Sequence, residues 1–550
     1  MANATSGKKG QTFMFGAVIL MISNILVKII GAIFKIPLQN LIGVEGMKYF
    51  QAAYDIYVAF YMISTAGIPV AISRMIATSN AKGNHKEVDK IFKIAYWVFF
   101  AVGAIGTVLM IALSKQFALS AKLDGAQYAM IAIAPTLFFI CLSSAYRGYF
   151  QGLQNMIPTA VSQVIESVGK LGIGLLAGWY CLSKGYSMPV VAAFTIVGVT
   201  IGVVAATAYI AIFKRMFASA REEAQAPKLE VRSTKSLLYE LVIISIPISL
   251  ASSIMGLTNV VDVFLVTSRL QGAGFDIKFA ENCYGAYAMP KSLFNMPTTL
   301  IYPFAISALP AISRYCSTGE KNKAEKLMES TFRMASIVAL PCAFGMSAMA
   351  KPILSLLFDK EQLTETSLVT NLDVAAPCLA VLGISVFFLG MISVTNSVLQ
   401  AYGFHNLTIV STVGGIIAKF IVSYILLGIP SIGLSGAAIG TAACYLVIMV
   451  LNVAFIAFKV KYFPSITRTF LKPFLASVIC VVPCLACYHL VMKYQLAGAK
   501  LATLASIAVA GLVYVVMLLL LRGMSEEDIK MLPKSQKIIK ILRKAKLLSD

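Results

Sequence analysis

Long apolar runs alternate with short polar segments along almost the whole chain, fourteen times between residues 12 and 521. Each run is roughly 20 residues or longer, enough for a helix to cross a hydrocarbon core about 30 Å thick. Strict polar–apolar alternation over ten-residue strands is absent, which argues against a barrel. The pattern predicts an all-α polytopic membrane protein with fourteen transmembrane helices.

The runs also repeat as a set. Ala71-Ile72-Ser73-Arg74 returns as Ala311-Ile312-Ser313-Arg314, and Ala134-Pro135 returns as Ala376-Pro377. Gln151, Thr159, Val161, Ser162 and Lys170 reappear in the same order as Gln400, Thr408, Val410, Ser411 and Lys419. Ordered matches with a slowly growing offset read as two copies of one unit. The expected plan is two six-helix parallel repeats around a central cavity, plus two C-terminal helices. It divides the chain into an N-terminal lobe (1–235), a C-terminal lobe (236–465), two extra helices (466–522) and a basic tail (523–550).

Composition agrees: 59% of residues are hydrophobic and 13% charged, and mean hydropathy is +0.82. The net charge of +22 is distributed unevenly. With both termini placed in the cytoplasm, 31 of the 46 Lys and Arg fall in or beside inner segments and 11 in outer ones. The positive-inside rule expects this asymmetry, and basic loops against an anionic leaflet account for the charge without nucleic acid. In the tail, Ile538, Ile541, Leu542, Ala545 and Leu548 share one helical face, with Lys537, Lys540 and Lys544 mainly on another, as in a helix resting at the membrane interface. The ten cysteines read as packing residues, including the cluster Cys480, Cys484, Cys487 and His489, which lacks a second Cys pair to complete a zinc set. Gly198/Gly202 and Gly436/Gly440 read as close helix packing.

Basic residues counted inside spans are Lys28, Lys170, Lys291 and Lys419. A charge at mid-bilayer costs about 2.5–3.5 kcal/mol on insertion scales, so it normally meets a partner or water. The first span carries Asn24 and Lys28, with Lys35 two turns on; the second begins with Tyr54, Asp55 and Tyr57. In the fifth span Glu166 and Lys170 stand four apart and read as a self-neutralising pair. Asp262 in the seventh and Lys291 in the eighth form a second candidate pair. Lys28 and Lys35 have no acid within reach on their own helix, which points to an anionic ligand in a hydrated cavity. Pro290, Pro297 and Pro303 make the eighth span the most interrupted.

The segments Lys28–Lys35 (KIIGAIFK), Ser64–Arg74 (STAGIPVAISR), Tyr284–Lys291 (YGAYAMPK) and Leu309–Arg314 (LPAISR) resemble the MurJ-type lipid II flippases and their SpoVB and YtgP relatives. These belong to the multidrug/oligosaccharidyl-lipid/polysaccharide superfamily. The resemblance implies that basic residues of helices 1, 2 and 8 bind a lipid diphosphate in a central cavity. Lys28 and Lys35 match the helix 1 positions, and Lys291 falls within one residue of the helix 8 position. At the helix 2 position this chain has no basic residue; the corresponding place is near Tyr61. The last two helices correspond to the groove that admits a polyprenyl tail. A sodium site of some members uses acids of helices 7 and 11, but helix 11 here offers none, so sodium is not carried over.

The function expected is a flippase that moves a polyprenyl-diphosphate-linked cell-wall precursor from the inner to the outer leaflet by alternating access. Lys28, Lys35, Lys291, Asn24 and Asp55 are the expected substrate-binding set, with Asp262, Glu166, Lys170 and Lys419 as charge partners. No metal, cofactor or catalytic group is expected, and the drive is assigned to the membrane potential or a coupling ion. Expected partners are the lipid-linked diphosphate, membrane lipids and cell-wall synthesis proteins; the location is the plasma membrane. Two alternatives stay open: export of another lipid-linked oligosaccharide or sporulation-specific precursor, and a non-transporting scaffold. An enzyme would need clustered acids or histidines, and the three histidines, His85, His405 and His489, form no cluster.

Overall fold

The computed structural model describes residues 2–65, 67–219, 230–364, 368–495, 498–525 and 528. Among them the regular elements are all helices. Among the described residues eleven helices are long and apolar enough to cross a membrane, and twelve if the bent pair Ile277–Phe294 and Thr298–Ser317 counts as one span. The chain is an all-α, multi-pass membrane protein. The amphipathic face expected over 538–548 lies outside the described residues.

Two compact units divide the chain, Met1–Ser268 and Arg269–Asp550. The first holds α1 (Ala2–Thr65), α2 (Ile68–Ala81), α3 (His85–Ser120), α4 (Ala126–Gly152), α5 (Ile157–Ser183) and α6 (Met188–Ser219), with most of α7 (Thr234–Gly272). The second holds α8 (Ile277–Phe294), α9 (Thr298–Ser317), α10 (Lys321–Ala348), α11 (Ala350–Leu357) and α12 (Asn371–Ala401). It continues through α13 (His405–Leu426), α14 (Ser435–Phe455), α15 (Lys472–Lys493) and α16 (Ala499–Leu520).

Helix α1 is 64 residues long, about 96 Å if straight, three times the hydrocarbon thickness. It does not run straight. Gly43 adopts φ 62°, ψ −173°, a conformation that a side chain would resist, and there the helix breaks into two arms. Local signals start other helices: Asn84 caps α3 by accepting from the Glu87 amide, and Asp276 caps α8 by accepting from the amides of Lys278 and Phe279. Thr370 and Asp373 form a reciprocal capping box on α12.

Each unit uses the same order of neighbours. In the first, α3 packs on α4, α4 on α6 and α5 on α6; in the second, α10 packs on α12, α12 on α14 and α13 on α14. This is the structural form of the repeated residues. The glycine pairs serve the same contact in both. A Cβ on Gly202 would sit 2.6 Å from the Glu166 carbonyl oxygen, and one on Gly198 would strike the Gly174 backbone, so α6 lies directly against α5. Gly436 and Gly440 bring α14 against Leu426 and Ser423 of α13 in the same way. The interruption expected in the eighth span is present: α8 and α9 bend by 48° across the break at Asn295–Pro297.

Candidate functional site

The second arm of α1 carries Phe50, Tyr54, Tyr57 and Tyr61 at spacings of four, three and four, which places them on one helical face. Successive ring centroids are 6.0, 6.0 and 6.1 Å apart. Phe34, on the first arm, meets Phe50 at 6.0 Å, and both rings are fully buried. Lys35 and Lys170 both lie against this aromatic face.

Lys35 reaches it from the first arm. Its Nζ donates to Gln51 Oε1 at 3.2 Å, and Gln51 Nε2 donates to Asp55 Oδ1 at 2.7 Å. Gln51 and Asp55 are buried, one turn apart on the same helix. The amide thus stands between cation and carboxylate and transmits part of their attraction without direct contact. Lys170 arrives from α5, donating from Nζ to the Tyr54 hydroxyl at 3.3 Å. It lies 4.5 Å from the Tyr54 ring centroid and 5.0 Å from that of Phe34, while Lys35 Nζ is 5.8 Å from the Tyr54 centroid. Two ammonium groups therefore share one ring, each within cation–π range.

The expected Glu166–Lys170 pair is not what forms. Arg147, on α4, donates from Nη2 to Glu166 Oε2 at 2.9 Å and from Nε to Ser162 Oγ at 3.0 Å. Ser162 and Glu166 are one turn apart on α5, so a single planar guanidinium satisfies both, a geometry that a lysine point charge does not match. Arg147 wins the acid, and Lys170 turns to the aromatic face. With every group ionised, Lys35, Lys170 and Arg147 outnumber Asp55 and Glu166, so the cluster is net positive.

The remaining expected residues are placed as follows. Asn24 and Lys28 are exposed on the first arm of α1, Lys28 about 10 Å along the axis from Lys35. Asp262 is buried on α7. In the second unit, Lys291 is half-buried on α8, with Nζ 5.6 Å from the Tyr287 ring centroid, and Lys419 is buried on α13. The structure thus gathers Lys35, Asp55, Lys170 and Glu166 around one aromatic face. Gln51 and Arg147 are the members that sequence reasoning missed. A Gln–Asp pair four apart on a helix was a usable signal. Arg147 was hidden because it lies near the C-terminal end of α4, where the apolar run gives way to polar residues.

The second unit carries an apolar cavity of about 480 Å³, lined among others by Cys342 and Met346 of α10, Cys480 of α15, and Ile507 and Tyr514 of α16. It lies where the two C-terminal helices meet α10 and α11. The ten cysteines are all free thiols, and Cys480 and Cys484 are buried within this helix packing.

The sequence profile of the polysaccharide biosynthesis protein family matches residues 14–316. Stage V sporulation protein B of Bacillus subtilis (strain 168) is 24% identical over 532 residues, covering 95% of this chain and 98% of the relative. Lipid II flippase MurJ of the same organism is 24% identical over 449 residues, covering 78% of this chain and 80% of the relative. Among solved structures, lipid II flippase MurJ in an inward closed conformation matches with a TM-score of 0.64 at 15% identity, over 91% of this chain and 98% of that one. That last likeness is one of fold.

Proposed function

This chain belongs to the polysaccharide biosynthesis protein family, and from that membership we propose that it is a flippase for a polyprenyl-diphosphate-linked cell-wall precursor, lipid II foremost. The observation that carries the reading is the net-positive cluster on the aromatic face of the first unit, where half-buried lysines stand in a membrane-spanning segment. Cations at that depth are costly unless an anion or water meets them. The likeness to lipid II flippase MurJ in sequence and fold supports the same class of cargo.

Lys28, Lys35 and Lys291 hold the diphosphate, with Asn24 and Asp55 contacting the polar headgroup. The two lobes rock in alternating access, carrying the headgroup across while the lipid tail stays in apolar surroundings. The cavity between α10, α15 and α16 fits hydrocarbon by its lining. Lysine charge drawn by an inside-negative potential, worth about 2.3 kcal/mol per charge per 100 mV, resets the carrier. Both termini face the cytoplasm across fourteen spans in the plasma membrane. Single cysteines added to an otherwise cysteine-free chain will react with an impermeant thiol reagent from outside at 269–281 and 359–366, and not at 216–234.

A second reading, export of a sporulation-specific lipid-linked precursor, is favoured by the match to stage V sporulation protein B over nearly the full length of both chains. One experiment separates the two. In cells depleted of their own flippase, expression of this chain restores outer-leaflet accessibility of the lipid II headgroup under the first reading. Under the second, accessibility stays at the depleted level although the protein is present in the membrane.

A further inference from the structure

Lys170 is a half-buried cation of a membrane-spanning helix whose nearby acid is already taken. Glu166, one turn before it, is bound to Arg147 at 2.9 Å, and among the described residues no carboxylate forms an ion pair with Lys170. Its ammonium is held instead by the Tyr54 hydroxyl and the faces of Tyr54 and Phe34. The ring faces attract the ammonium and the hydroxyl accepts one of its hydrogen bonds, but neither neutralises its charge. Of three ammonium donors, one goes to Tyr54.

Lys35 stands at the same ring. Its Nζ lies 5.8 Å from the Tyr54 centroid against 4.5 Å for Lys170, so the two nitrogens are at most about 10 Å apart, a span that one diphosphate with a hydrogen bond at each end can bridge. Their mutual repulsion is eased by the ring quadrupole and, through Gln51, by Asp55; a dianion would relieve it more fully. Flexible ammonium groups suit a phosphate as point charges. We propose that Lys170 and Lys35, set against Tyr54, form a binding site for the diphosphate of a lipid-linked substrate, so that α5 contributes a phosphate ligand alongside α1. The proposal rests on the reading that the cargo is a polyprenyl diphosphate, and it adds a residue assigned above only as a partner of Glu166.

The test uses the full chain in detergent micelles, with farnesyl diphosphate, farnesyl monophosphate and inorganic pyrophosphate as probes. Lysine acylation read by mass spectrometry needs no variant. Farnesyl diphosphate will protect Lys170 while leaving the exposed outer residue Lys184 equally reactive. In equilibrium binding, Lys170→Gln will weaken farnesyl diphosphate about tenfold or more, the loss expected for one charge-assisted contact, and farnesyl monophosphate by less; Lys170→Arg will recover most of the difference. Unchanged Lys170 reactivity on saturation overturns the site, including in the case where Lys170→Gln does not fold. Equal affinity of wild type and a folded Lys170→Gln overturns it too, and leaves the flippase reading intact. Protection by pyrophosphate but not by the farnesyl ester overturns it in favour of a soluble anion. Failure of the wild type to bind any farnesyl phosphate overturns the flippase reading itself.

Discussion

The Arg147–Glu166 pair is the internal contact of the first unit whose removal has the most definite consequence. Replacing Arg147 with Met keeps much of the side-chain volume but removes the donors to Glu166 Oε2 and Ser162 Oγ. Arg147 has 9% of its side chain exposed and Glu166 29%, so the acid left behind is shielded but not sealed from water. Stripping one partner from a fully buried pair costs about 3–5 kcal/mol, whereas a neutral hydrogen bond inside a membrane protein averages about 0.6 kcal/mol. The partial exposure of Glu166 sets the expectation between these bounds, at about 2 kcal/mol. Removing the orphaned charge as well, with Arg147→Met and Glu166→Gln together, should return most of it. Thermal unfolding of the purified protein in detergent, followed for the two single variants and the double, measures the coupling directly. A double variant no more stable than Arg147→Met, or an Arg147→Met protein as stable as wild type, would refute the assignment of Glu166 to Arg147.

Two other clasps make separate predictions. Burial alone would raise the Glu87 carboxyl, but hydrogen bonds from Arg232 and Ser79 hold it below its ordinary value of 4.5. Its stabilising contribution is therefore full above about pH 4.5 and disappears as pH falls through the lower folded value; the stability gap between wild type and Glu87→Gln should close over that descent, and a gap independent of pH contradicts it. Asp528, fully buried, accepts from Ser330 Oγ at 2.6 Å, from Arg333 Nε at 2.6 Å and Nη2 at 3.0 Å, and from the Ser525 amide at 2.7 Å. Asp528→Asn should free the chain after α16 and speed tryptic cleavage at Arg522 at least several-fold; cleavage at the wild-type rate would show that this contact does not hold the segment.

Much of the architecture was legible because it depends on coarse quantities. Apolar run length requires membrane helices whatever their detailed packing, and the Ala71–Arg74 and Ala311–Arg314 repeat announced that two units would share one order of neighbours. The glycine pairs of α6 and α14 were legible as well, since only small residues let backbones approach that closely. The polar cluster was less so. Helical spacing ties Glu166 to Lys170, but the energy went to Arg147 on another helix, because a fork that reaches both Ser162 and Glu166 outcompetes a single ammonium. Lys170 finds its hydroxyl partner 116 residues away, a contact that no local period encodes. The break at Gly43 was hidden for a different reason: a positive φ is a property of the folded backbone, and this Gly lies amid residues that read as a short loop.

Movement of a lipid-linked diphosphate across a bilayer by cations of the membrane helices is the function proposed for this chain. Its most direct test is a flipping assay with the purified protein in liposomes containing a fluorescently labelled lipid II, the outer-leaflet label being destroyed by an impermeant reductant. Wild-type protein should let the reductant reach well beyond the half of the label present in the outer leaflet, and Lys28→Ala, although inserted in equal amount, should leave the inner half protected. Protection by wild type equal to that in empty liposomes would rule out flipping of lipid II by this chain, and full flipping by Lys28→Ala would rule out a role for Lys28 in it.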